Sequence, residues 1–324
     1  MGLFWSMKPV PGMSKAALLR KVDVTTPLVF RLSVMDDHIP FADLQQLTTV
    51  VLVADEVQRW YKHGSVRRIV MREGSLRGTL FLPAGEGPFP GVLDMFGSAG
   101  GLAEFRAALL ASRGFACFAL AYIRYDDLPT SLAGIDFEYF LVTPLPPPPS
   151  QHGMSTNQVK ALVNICGAPV YGSDELKKCG HLFWKGFKMD ESKLRQTDEG
   201  VYLKDAARYD TEIIPAWSNN AQILYLCGED DGVWRTDFSN TFIETCPEEK
   251  KNNIELIIYP GTGHLIEPPY MPVSRAMFHK VLGYTVVMGG KPKAHSAAQE
   301  DAWGRLLHFL QKHLPHEHHT SGRL

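Results

Sequence analysis

The residues of this chain best suited to chemistry are a histidine, a pair of aspartates and a run of small residues. Tyr259 to Tyr270 reads YPGTGHLIEPPY and puts His264 on a turn of Gly261, Thr262 and Gly263, directly after an apolar run. An imidazole titrates near neutrality and so suits a general base, and the small glycines let a ligand or a second side chain approach it. Asp230 and Asp231 follow a second apolar run, in Gly228-Glu229-Asp230-Asp231. A carboxylate beside an imidazole holds the ring through Nδ1–H and stabilises the imidazolium formed in reaction. The pattern does not choose between Asp230 and Asp231. Gly97-Ser98-Ala99-Gly100-Gly101 lies between a strand and a helix. Backbone N–H groups at such a place suit a developing oxyanion, which makes Gly97, Ser98 and Ala99 the candidate donors. The run is neither a GxxxxGK[ST] phosphate loop nor a GxGxxG dinucleotide loop.

A histidine or an aspartate alone is ordinarily a loop residue. Their elements change that reading. Gln222 to Cys227 and Ile254 to Tyr259 are short, apolar and punctuated by Gly and Pro, the signature of buried strands. Upstream, Gly91 to Phe96, a helix over about Ala103 to Ser112 and Phe115 to Tyr122 read as strand, helix, strand. The fold class is α/β with a mostly parallel sheet, over residues 86–314, ending in a helix from about Ala297 to His313. Ligands of such sheets bind beyond the carboxyl ends of the strands, where one of the two aspartates and His264 would meet. The order acid then histidine, late in the chain, is that of an α/β-hydrolase.

That fold requires a third group, a nucleophile on a GxSxG-type turn between about residues 140 and 160. None is there. Phe137 to Phe140 starts a helix, and then Pro144 and Pro146 to Pro149 forbid helix and central strand alike. Ser155, in Gly153-Met154-Ser155-Thr156-Asn157, has no strand before it and no glycine two residues after it. Cys166 reads as core packing at the end of the strand Ala161 to Cys166. Residues 170–215 read as an irregular insertion. Residues 1–85 read as a partial β-sandwich, with strands at Val22 to Val24, Leu28 to Val34, Thr48 to Leu52, Arg67 to Met71 and Arg77 to Leu82. Residues 315–324 read as a disordered tail.

Composition narrows the field. Apolar residues make up 45% and charged ones 21%, as in a globular protein with a large core. A net charge of −2 offers no electrostatic attraction to nucleic acid or to an anionic membrane. No apolar run reaches the roughly 18 residues that span a bilayer. Five scattered cysteines without a CxxC pair point to reduced thiols and away from a metal site.

Longer stretches carry a resemblance. GLFWSMKP, RGTLFLP, GPFPGVLDMFGSAGGLAEFRAALLASRGFA, ALAYIRYDDLP, GEDD, YPGTGHLIEPPY, MGGKPKAH and AQEDAWGRLLHFLQKHL closely resemble the acyl-CoA thioesterase and bile acid-CoA:amino acid N-acyltransferase family. The resemblance implies an N-terminal β-sandwich ahead of an α/β-hydrolase domain. It also implies attack on an acyl-CoA thioester by a Ser (thioesterases) or a Cys (N-acyltransferases), with Asp231 as the acid and His264 as the base. It implies no cofactor beyond the acyl-CoA substrate. GEDDGVW favours the thioesterase branch over the N-acyltransferases, and a non-catalytic acyl-CoA-binding protein is a third reading. Family members carry residues ahead of GLFWSMKP, and after DFEYF a helix, a strand, the nucleophile motif and another helix. LVTPLPPPPSQHG stands there instead, so thioester hydrolysis is expected to be impaired. A monomer in the cytoplasm is expected, with the peroxisome as alternative because Gly322-Arg323-Leu324 is near an SKL-type tail.

Overall fold

The computed structural model describes residues 2–10, 13, 18–44, 50–141, 159–172, 175–207 and 212–314. The proline tract, Ser155 and the tail from residue 315 lie outside the described residues. In chain order, a single helical turn α1 (Gly2–Trp5) leads to β1 (Leu28–Met35) and β2 (Val51–Arg59). These two strands form an antiparallel ribbon in which Leu28 faces Arg59. Val29, Val34, Val53 and Val57 on it are exposed, and no second sheet covers it among the described residues. The expected sandwich is therefore a two-stranded ribbon here. Val22 to Val24 is not a strand, although Val24 is fully buried.

The hairpin β3 (Arg67–Met71) and β4 (Arg77–Leu82) was expected to belong to that first unit. It is instead the edge of the α/β sheet. β4 pairs antiparallel with β6 (Ala116–Ala121), which pairs parallel with β5 (Gly91–Met95), giving the order β3-β4-β6-β5. The physical reason is burial. Gly78, Thr79, Leu80 and Phe81 are all covered, so β4 needs a protein layer on both of its faces. The helix α2 (Phe105–Ala111) lies between β5 and β6 in the chain and buries Phe105, Ala107, Ala108, Leu110 and Ala111. A short α3 (Glu138–Leu141) follows.

The second part of the sheet is formed by β7 (Ala161–Ile165). It continues beyond the hairpin β8 (Leu176–Lys178) and β9 (His181–Trp184) and the hairpin β10 (Arg195–Thr197) and β11 (Gly200–Tyr202). So the described part of 170–215 holds two small hairpins and is not wholly irregular as expected. β12 (Gln222–Gly228), α4 (Asp237–Thr245), α5 (Glu248–Lys251) and β13 (Ile254–Tyr259) come next, then the hairpin β14 (Ala276–His279) and β15 (Tyr284–Val287), and last α6 (Pro292–His313). β7, β12 and β13 run parallel in the order β13-β12-β7. β11 pairs parallel with β15, which ties the 195–202 hairpin to the chain beyond the His264 turn. Helix α6 starts five residues before its expected beginning because Pro292 stands in its first turn, where a missing N–H costs nothing.

The two sheets share one core. Val92 of β5, Val163 and Ile165 of β7, Leu224 and Leu226 of β12 and Ala302 and Leu306 of α6 all pack in the same cluster. Yet no ladder joins β5 to β7 among the described residues. An α/β-hydrolase sheet has a strand at this place, and that strand ends in the nucleophile turn. The N-terminal unit reaches over the same region. Arg20 bonds Glu267 and lies 4.4 Å from the Phe96 ring centre, and Arg59 donates to Tyr270 O at 2.6 Å. It therefore braces the chain on both sides of the break.

Candidate active site

Two adjacent parallel strands deliver the central pair. Gly228, the last residue of β12, lies opposite Tyr259, the last residue of β13. Asp231 stands three residues beyond the first strand and His264 five beyond the second. His264 Nδ1 lies 2.9 Å from Asp231 Oδ2. The carboxylate is 4% exposed, and its other oxygen accepts the N–H groups of Val233 at 2.7 Å and Trp234 at 3.0 Å. A carboxylate with both oxygens engaged is fixed in direction. A carboxylate oxygen only accepts, so Nδ1 carries the proton, and in the neutral ring Nε2 keeps its lone pair. Asp230 goes elsewhere: its Oδ2 accepts the N–H of Gly290 at 3.0 Å. It braces the neighbouring turn, and Asp231 is the aspartate that meets the histidine.

The turn behind Asp231 depends on a glycine. Gly289 bridges Asp231 and has φ +76°, and a methyl group there would overlap the carbonyl oxygen of Asp230. Left-handed backbone and overpacking act together at this position. Gly289→Ala is expected to destabilise the fold by roughly 2–4 kcal/mol, read as a lowered urea midpoint with an unchanged slope.

The structure brings one residue to the pair that sequence reading took for packing. Cys166 follows β7 with φ +50°, and its Sγ, a carboxylate oxygen of Asp231 and a ring nitrogen of His264 all lie within 4.8 Å of one another. These are the three groups whose donor atoms would converge on a metal ion among the described residues. Both Asp231 oxygens are already engaged, so the cluster is hydrogen-bonded as it stands. Burial first, and the Asp231 charge second, push the Cys166 thiol well above its ordinary value. Its Sγ lies 3.8 Å from Gly263 O. A φ above zero at a strand end was the signal, but it belongs to backbone geometry and leaves no mark in residue type.

The glycine run is a turn closed by Gly100 N–H to Gly97 O at 3.2 Å. It does not sit on a helix N-terminus as expected, because α2 begins only at Phe105. Gly97, Ser98 and Ala99 lie just past the carboxyl end of β5, and no described hydrogen bond links them to Asp231 or His264. A methyl group on the neighbouring Gly100 would meet Ile123 first and then the Cβ of Arg124. Arg124 and His264 both act on the half-buried His279 of β14, whose pKa is held down first by burial, then by Arg124 and His264. A cavity of about 300 Å³ opens beside Asp231. Lys204 and Arg235 line it along with Asp205, Glu229 and Asp237, so its wall is charged and not an apolar channel.

Comparison with known proteins shows the family of the chain. A family model described as "BAAT / Acyl-CoA thioester hydrolase C terminal" matches residues 152–316, and one for the "Acyl-CoA thioester hydrolase/BAAT N-terminal region" matches residues 1–73. Human acyl-coenzyme A thioesterase 1 is 36% identical over 342 residues, covering 97% of this chain and 79% of that protein. Mouse peroxisomal succinyl-coenzyme A thioesterase is 35% identical over 354 residues, covering 98% and 80%. Human mitochondrial acyl-coenzyme A thioesterase 2 is 35% identical, covering 97% and 69%. Alignments of 342 and 354 positions exceed the 324 residues of this chain, so at least 18 and 30 aligned positions of the first two relatives have no counterpart here. The chain belongs to the acyl-CoA thioester hydrolase/BAAT family.

Proposed function

We propose that the chain acts on acyl-CoA thioesters, with His264 as the base and Asp231 as the group that orients it. The 2.9 Å contact between His264 Nδ1 and Asp231 Oδ2, at the ends of adjacent strands, carries the reading. With its proton on Nδ1, His264 uses Nε2 to take a proton from an attacking hydroxyl or thiol and returns it to the leaving CoA thiolate. Asp231 stabilises the imidazolium between those steps. The N–H groups of Gly97, Ser98 and Ala99 are the proposed donors to the tetrahedral oxyanion. His264 has 23% of its side chain exposed, enough to meet a bound thioester. No cofactor enters this chemistry, and the working unit is proposed as a monomer.

The nucleophile limits the reaction. Among the described residues the hydrogen bonds of the His264 ring end at Asp231, and the one thiol beside it, Cys166, is buried and held protonated. We therefore propose that hydrolysis by this chain is slow while binding of acyl-CoA persists. Palmitoyl-CoA turnover, followed as released CoA thiol, should lie far below ordinary enzyme rates. A non-hydrolysable thioether analogue should bind in calorimetry. Ordinary turnover would refute the impairment, and neither binding nor turnover would refute the acyl-CoA reading. Cys166→Ala should leave residual turnover within about twofold, since a neutral buried thiol is a poor nucleophile. A loss of tenfold or more would make Cys166 the attacking group and favour acyl transfer to an amine.

No helix among the described residues is long and apolar enough to cross a membrane. The relatives include a peroxisomal and a mitochondrial protein. The cytoplasm is the proposed compartment, with the peroxisome as the alternative. A fluorescent fusion that leaves the C-terminus free separates the two.

A further inference from the structure

The turn that carries His264 is held by a second histidine. His295 lies in the first turns of α6, on the face that also sends Gln299, Ala302 and Leu306 into the core, and it is 1% exposed. The N–H of Gly263 donates to His295 Nδ1 at 2.9 Å, and His295 Nε2 lies 2.7 Å from Leu265 O. A carbonyl oxygen only accepts, so Nε2 carries the proton. Nδ1 receives an N–H, so it carries none. The ring is thus neutral and in one tautomer. Burial, its leading influence, pushes its pKa below the ordinary histidine value.

The two bonds fall on the residues immediately before and after His264. The N–H of His264 itself donates to Met288 O at 2.8 Å. Leu265 O also accepts from Gln299 Nε2 at 3.1 Å and from the N–H of Glu267 at 2.8 Å. Space for the ring exists because Gly290 has no side chain: a methyl group there would stand 2.5 Å from His295 Nδ1.

We propose that His295 is the positioning residue of the His264 base. Its neutral imidazole staples the peptide groups on both sides of His264 and so aims the His264 ring at Asp231. The proposal rests on the reading of His264 and Asp231 as base and carboxylate. His295 touches neither substrate nor reacting atoms. It acts through direction, because a hydrogen bond between Nδ1 and Oδ2 weakens steeply once the angle is lost.

The test needs no turnover. In protein labelled with ¹⁵N-histidine, the His264 Nδ1–H bonded to Asp231 should give a downfield proton signal, assigned by its loss in His264→Gln. The ¹⁵N shifts should report a single Nδ1–H tautomer. His295→Gln fills similar volume and reaches Leu265 O, but leaves the Gly263 N–H without an acceptor. It should lose or broaden the downfield signal and send His264 into a mixture of tautomers while circular dichroism shows a folded protein. His295→Asn keeps an acceptor for the Gly263 N–H, with Gln299 still on Leu265 O, and should retain the signal. His295→Ala should behave as the Gln variant does, and where it fails to fold the Gln variant decides. A folded His295→Gln protein with an unchanged His264 signal and tautomer would overturn the proposal alone. A wild-type His264 that already averages between tautomers would overturn the base–carboxylate reading and the proposal with it.

Discussion

Replacing residues 142–158 by the corresponding stretch of human acyl-coenzyme A thioesterase 1 is expected to raise acyl-CoA hydrolysis on the order of 10⁴-fold or more. Among the described residues the sheet is interrupted between β5 and β7. β5 and β7 are five-residue strands at the facing ends of two separate ladders, and both pack into one core. At least 18 aligned positions of that relative have no counterpart in this chain. One parallel strand between β5 and β7 would join the ladders, and the turn after it would put a nucleophile beside the free Nε2 of His264. The same graft should raise stability. Each ladder bond adds roughly 1 kcal/mol net, and each newly buried large apolar side chain roughly 1.5–3 kcal/mol. Two readings decide the matter: CoA release from palmitoyl-CoA and the urea midpoint. A graft that raises the midpoint without restoring turnover would show that the strand fits while the triad reading fails. A graft that changes neither would refute the missing-strand account.

The parts of the site that were legible in the sequence are the parts set by local pattern. The apolar runs at Gly91, Gln222 and Ile254 gave strands within a residue of their real ends, because buried parallel strands are continuous and apolar. Adjacency of β12 and β13 then put an aspartate beside His264. What escaped was set by partners far away in the chain. Residue pattern leaves Asp230 and Asp231 open and the resemblance names Asp231; the physical difference is the N–H of Gly290, 60 residues away, which engages Asp230. The hairpin at 67–82 was misallotted because sheet membership is decided by β6, not by its own alternation. His295 reads as an ordinary residue near a helix start. Only the packing of α6 under the His264 turn shows that both of its nitrogens are committed. Cys166 looked like core filling and is core filling, yet it fills the core against the reactive pair. In each case residue type was informative about a strand or a helix and silent about which two elements meet.

Asp231→Asn, made in the grafted chain, is expected to lower kcat on the order of 10⁴-fold with KM changed by less than about threefold. The size follows from which oxygen does what. Oδ1 holds the turn through the N–H groups of Val233 and Trp234, and an asparagine carbonyl can take over both bonds. The fold is therefore retained. Oδ2, which faces His264 Nδ1, becomes an NH₂ group and must donate. His264 can accept only by moving its proton to Nε2, the atom that has to take the proton of the nucleophile. The base is then present, in place and in the wrong tautomer, so the chemical step fails while ground-state binding does not. Asp231→Ala separates this from a mere loss of charge. It also strips the two N–H groups of their acceptor in a half-buried turn, which costs at most about 1–3 kcal/mol for each group left unsatisfied. It should therefore lower the unfolding midpoint as well as kcat, where Asp231→Asn lowers kcat alone. Equal losses of kcat and midpoint in both variants would mean that Asp231 serves the turn and not the imidazole. An Asp231→Asn enzyme working within tenfold of its parent would remove His264 from the chemistry altogether.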